Sequence, residues 1–219
     1  RVLRPSEAAL WVLDYEINQR GVPVDLKNVR FMSEWCDNER VRLDKEMRRV
    51  TKQQVSSCSD LRGLKAFAGV ESVAKAHLNK AIARSAGRVL AALSLRRDFA
   101  KTSTKKLDAF DRGTMEDGYM AESTGRWAGR RVQPQNFPRP TCGQEEIERR
   151  IDKHDPGSLA GAADCLRGMI AAPKGQKLVA GDFSSVEARG LAWMAGQENK
   201  LKLFRKGADV YVHASADIY

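Results

Sequence analysis

Apolar positions along the first fifty residues recur at helical intervals. Leu10, Leu13 and Ile17 mark one stripe between Ser6 and Arg20, with Ser6 placed to cap the helix and Gly21 placed to stop it. Gly21-Val22-Pro23-Val24 reads as an extended connector. Asp25 offers a second cap, and Val29, Met32, Cys36, Leu43 and Met47 then trace the buried stripe of a long helix with charges between them. The two stripes predict a helical hairpin. After the polar break Ser56-Ser57-Cys58-Ser59, residues 61–106 again read as helices, weakly interrupted near Gly87.

The pattern changes near Gly118, where Gly, Pro and Gln become frequent and remain so up to Pro140, which predicts a boundary at about residue 118. Further on, Lys177-Leu178-Val179-Ala180 is short, apolar and introduced by Pro173-Lys174-Gly175. It predicts a buried strand ending at Gly181 or Asp182. Ser184 and Glu187 then form the S-x-x-E of a capping box, and Ala188, Leu191, Ala192 and Ala195 share one face of the helix that follows. Helices first and mixed structure afterwards predict an α+β fold.

Composition narrows the function. A chain of 219 residues with 42% hydrophobic content can bury a core in one large domain or two small ones. No stretch approaches the ~18 uninterrupted apolar residues of a membrane span, and the first residues lack the pattern of a secretion signal. Cys36, Cys58, Cys142 and Cys165 show no CxxC spacing, and His77, His154 and His213 are scattered, so neither a zinc site nor a disulfide framework is supported. Reduced cytosolic thiols are expected. The 38 Lys and Arg against 28 Asp and Glu leave a formal +10, which favours a polyanionic partner: nucleic acid first, an anionic membrane second. The most one-sided stretch holds Arg84, Arg88, Arg96, Arg97, Lys101, Lys105 and Lys106 against Asp98 alone. By itself that stretch fits a solvated helix surface equally well.

Two further segments carry candidate chemistry. A strand ending in Asp182 would hold a carboxylate on a rigid element, where oxygen can bind Mg2+; Asp182 as a turn residue and Glu187 as a cap account for the same letters. Upstream, STGRWAGRRVQPQNFPRP sets Arg126, Arg130, Arg131 and Arg139 beside Trp127, Gln133, Gln135 and Asn136, in a stretch that its prolines keep from being helical. Guanidinium groups suit phosphate, amides suit base edges, and Gly125 and Gly129 permit close backbone approach.

With those motifs in order, the chain resembles the family A DNA polymerases of the DNA polymerase I type, particularly their phage-like branch. Thr124-Gly125-Arg126 and Gln135-Asn136-Phe137-Pro138 match the family's T-G-R and Q-N-x-P. Asp182-Phe183-Ser184-Ser185-Val186-Glu187-Ala188-Arg189 matches its motif A. Leu166-Arg167-Gly168-Met169-Ile170 looks like the intervening strand, and Gly207-Ala208-Asp209-Val210-Tyr211 like the opening of the fingers.

The resemblance implies a helical thumb with its base over residues 1–118, the first part of a mixed-sheet palm over 119–208, and the start of the fingers, cut short, over 209–219. It implies template-directed nucleotidyl transfer from a dNTP to a primer 3′-hydroxyl. Asp182 would be the catalytic carboxylate and, with the Phe183 carbonyl, would ligate two Mg2+ ions. Glu187, Ser184 and Ser185 would line the nucleotide site, Glu187 excluding a ribose 2′-hydroxyl, and Arg189 would support them from behind. Thr124, Arg126, Arg130, Arg131, Gln135, Asn136 and Arg167 would contact duplex DNA, as would Arg96, Arg97, Lys101 and Lys105 of the thumb. The implied partners are a primer-template duplex, a dNTP and the remainder of a polymerase chain. A monomer in the cytoplasm of a bacterium or phage-infected host is expected, inactive as this fragment alone. The rival readings are a non-catalytic duplex-binding module derived from a polymerase and, more remotely, a metal-dependent nuclease.

Overall fold

Asp25 begins the longest helix, its carboxylate accepting the Asn28 N–H at 3.1 Å, and α2 runs through Leu26–Val50. Its buried residues are Val29, Met32, Cys36, Leu43 and Met47, the stripe expected from periodicity. The far end is sealed by buried Thr51, whose hydroxyl donates to the Met47 carbonyl at 2.8 Å and accepts the Val55 N–H at 3.2 Å. The Cys58 N–H donates to Asp44 at 2.7 Å, tying the polar break back onto α2.

The computed structural model describes residues 4–110, 119–121, 127–129 and 134–218, and divides into two compact units, Arg1–Lys177 and Leu178–Tyr219. In the first unit, α1 (Pro5–Arg20) precedes α2, and α3 (Leu61–Ala68), α4 (Lys75–Ala83), α5 (Gly87–Phe99) and a 3₁₀ helix (Thr102–Phe110) follow it. Leu64, Leu78, Ala92, Leu93, Leu107 and Phe110 close the core against α2. The interruption expected near Gly87 is present, since α4 ends at Ala83 and Gly87 opens α5. The cap expected at Ser6 is corrected: Pro5 occupies the first helical position, and the Arg4 N–H donates to Glu7 at 2.9 Å. Leu10 and Leu13 of α1 are largely exposed.

Next come α6 (Gln144–Asp152), α7 (Leu159–Asp164) and a further 3₁₀ helix (Cys165–Met169). The strand expected over Leu166 to Ile170 is corrected here, since Leu166 and Met169 are buried as helical side chains. Only Ile170 pairs, in an isolated antiparallel bridge with Val24 flanked by Asp25 N–H to Met169 carbonyl at 2.8 Å and Ala171 N–H to Pro23 carbonyl at 3.2 Å. The extended connector thus finds its partner without a sheet.

The α+β expectation with a mixed-sheet palm is overturned. Helices dominate the described residues, and β structure amounts to one short antiparallel pair, β1 (Tyr119–Ala121) with β2 (Trp127–Gly129), plus that bridge. Lys177 to Ala180 form no buried strand: Leu178 is 51% and Val179 94% exposed. A strand needs a neighbour to take its N–H and C=O groups, and no described strand pairs with this one. The boundary expected near residue 118 lies outside the described residues.

The second unit holds α8 (Val186–Met194), α9 (Glu198–Arg205) and α10 (Val210–Ile218). Ala192 and Phe204 are buried where α8 packs on α9. Of the face expected on α8, Leu191 is instead exposed. Ser184 does not cap α8; the N-cap position is Ser185, in left-handed conformation at φ 53°, with no side-chain cap bond.

Candidate nucleic-acid interface

Three of the basic residues at the end of α5 and just after it, Arg96, Arg97 and Lys101, line one groove of about 590 Å³. Its lining includes Lys75 at the start of α4, Arg96 and Arg97 in the last turn of α5, Lys101, Asn79 and Asn136. Cations in the last turn of a helix also suit its negative end. Arg96 is pinned by one arm, Nη1 donating to the Cys58 carbonyl at 3.3 Å, while its buried Nε has no hydrogen-bond partner among the described residues. Arg97 meets Asp98 at 3.0 Å, and both side chains are about half exposed. The corner after α5 is rigid, because Thr104 is buried, donates to the Lys101 carbonyl at 3.0 Å and accepts from Arg40 at 2.5 Å. Lys105 is exposed on the 3₁₀ helix that follows and does not line the groove.

The far wall is the Q-N-F-P segment. Pro134–Asn136 make a 3₁₀ turn, and Phe137 is buried edge-on against Phe110, with ring centres 6.0 Å apart and planes at 87°. Lys106 Nζ lies 5.1 Å over the Phe137 ring and 3.5 Å from the Asn136 carbonyl. Burial pulls the Lys106 ammonium below its ordinary pKa. Arg167 sits 5.9 Å from the same ring and donates to the Phe137 carbonyl at 3.3 Å. Of the DNA contacts expected from the sequence, Arg96, Arg97, Lys101 and Asn136 share the groove, and Arg167 braces its wall. Thr124, Arg126, Arg130 and Arg131 lie outside the described residues. Sequence reasoning missed Lys75, Asn79 and the aromatic anchor Phe137, which carry no periodic signal.

Asp182, Phe183, Ser184, Ser185, Glu187 and Arg189 belong to the second unit. Asp182 and Glu187 are exposed, and Phe183 is 83% exposed. Arg189 Nε donates to the Ser184 carbonyl at 2.8 Å, and its guanidinium lies 4.5 Å from the Phe204 ring centre. Asp209 caps α10, accepting the Tyr211 and Val212 N–H groups at 2.9 and 3.3 Å. Asp182 offers the hard oxygen that Mg2+ prefers, but no group of three or more His, Cys, Asp or Glu gathers among the described residues. The described residues therefore supply one candidate magnesium ligand, Asp182, and not a complete two-metal centre. No described helix is long and apolar enough to cross a membrane.

No family model and no solved structure matches the chain. It is similar to the DNA polymerase of Bacillus phage SP02, at 29% identity over 242 residues, which covers 98% of this chain and 36% of that protein. The chain therefore spans about a third of the length of the curated relative it matches, and along nearly all of its own length it is related to a phage DNA polymerase.

Proposed function

We propose that the chain is the DNA-gripping portion of a template-directed DNA polymerase of the family A type, holding a primer-template duplex while nucleotides from dNTPs are added to the primer. The observation that carries this reading is similarity to a phage DNA polymerase along nearly the whole chain. The groove supports it, because a concave surface lined by Lys75, Arg96, Arg97 and Lys101 suits the phosphate backbone, and the Asn136 amide suits base edges or sugars. The helical first unit takes the place of a thumb. Asp182 is the metal-binding carboxylate in this reading and Glu187 the sugar discriminator, with the further carboxylates of a magnesium centre supplied from outside the described residues. Mg2+, when bound, supplies charge neutralisation at the reacting phosphates.

The test is primer extension by a polymerase carrying this segment. Asp182→Ala abolishes nucleotide addition while duplex binding persists, and undiminished extension overturns the assignment. The second reading, a duplex-binding module without chemistry, is favoured by the lack of a gathered metal site among the described residues. It predicts that Asp182→Ala changes nothing.

A further inference from the structure

Two cations of the first unit share one buried aromatic ring. Lys106 and Arg167 come from different 3₁₀ helices, yet both lie against the Phe137 ring, at 5.1 and 5.9 Å from its centre. Each also contacts a carbonyl of the same short segment, Lys106 that of Asn136 at 3.5 Å and Arg167 that of Phe137 at 3.3 Å. Phe137 is only 4% exposed and rests edge-on against Phe110 of the core. A cation held by both a π face and a carbonyl oxygen forfeits two favourable interactions if it swings out to a phosphate. Asn136 and Pro138, on either side of Phe137, line the basic groove.

We propose that Phe137 is a positioning residue: it draws Lys106 and Arg167 onto its ring and the adjoining carbonyls, so that Asn136 is set into the groove wall before any duplex arrives. This rests on the duplex-binding reading of the groove. It also divides the basic residues into two groups with different work. Lys101 and Arg97 neutralise phosphate, whereas Arg167 and Lys106 hold the wall and release no counterions on binding. Phe137 acts through Asn136 and needs no contact with the nucleic acid.

Two measurements on the whole 219-residue chain test this. The first needs no DNA: nuclear magnetic resonance of the Asn136 side-chain amide in Phe137→Leu, Phe137→Tyr and the exposed-site variant Arg167→Gln. The second is fluorescence anisotropy of a labelled primer-template duplex across a salt series. Phe137→Leu and Arg167→Gln are expected to shift the Asn136 amide signals and weaken duplex binding about tenfold, leaving the salt slope unchanged. Phe137→Tyr, which keeps the ring face, is expected to restore both, and Lys101→Ala in parallel to lower the slope by about one. A fall of about one in the slope for Arg167→Gln, or Asn136 signals that do not move in either variant, overturns the proposal. If the unsubstituted chain shows no salt-dependent duplex binding, the reading of the groove fails with the positioning role, while the Asn136 signals still decide whether Phe137 anchors the segment.

Discussion

The guanidinium of Arg189 stacks 4.5 Å from the centre of the Phe204 ring while its Nε holds the Ser184 carbonyl at 2.8 Å. One side chain of α8 therefore joins α9 to the turn that lies between Asp182 and Glu187. Phe204→Leu keeps an apolar contact but loses the ring face, at a cost of about 1 kcal/mol. Amide hydrogen exchange at Val186 to Arg189 is expected to quicken about fivefold, and unchanged exchange would show that the stacked guanidinium does not restrain the turn.

The groove predicts a graded response to salt. Arg97→Ala and Lys101→Ala should each lower the slope of log affinity against log salt by about one, because each removes a cation that displaces a counterion. Lys105→Ala, off the groove, should leave the slope almost unaltered. Anisotropy titrations with one duplex at several salt concentrations check all three.

The thiols should differ sharply in reactivity. Burial first of all pushes Cys36 and Cys58 up to about 12 and Cys165 to about 11. At about pH 8 the thiolate fraction of each is then about one in a thousand or less. Cys142 is half-buried, its Sγ 3.8 Å from Asp164. A disulfide reagent is expected to label Cys142 in the folded chain and the other three only in urea, which peptide mapping after labelling will read.

Acid should loosen α6 in a narrow window. The guanidinium of Arg149, and secondly that of Arg150, hold the Glu146 carboxyl down from 4.5 to about 2. A folded-state value below the unfolded one gives stabilisation that is complete above about 4.5 and lost as pH falls through about 2. Urea midpoints measured from about pH 5 down to about pH 2 should therefore fall less steeply for Glu146→Gln than for the unsubstituted chain.

Helix α2 was legible because burial leaves a period. The five apolar positions of α2 appear in the letters at the spacing the fold uses, and Asp25 announces the start. The sheet was misjudged for an equally physical reason. Leu178 and Val179 carry a strand's composition, but composition does not supply the neighbouring backbone that a strand requires, and Leu166 fits a buried 3₁₀ turn as readily as a strand. At the candidate interface the cations could be counted from the sequence, but not their direction. Arg96, Arg97 and Lys101 face a groove while Lys106 and Arg167 face a phenyl ring, a distinction set by residues about thirty positions away.

The corner before α8 has handedness. Ser185 stands at φ 53°, a region that side chains branched at Cβ enter only with strain. Valine or isoleucine there, outwardly mild in a partly open turn, would force the backbone to a different path and swing the two acidic residues on either side of it apart or together. Glycine or asparagine would keep the corner, so tolerance at this one position becomes a gauge of how closely the spacing of Asp182 and Glu187 matters.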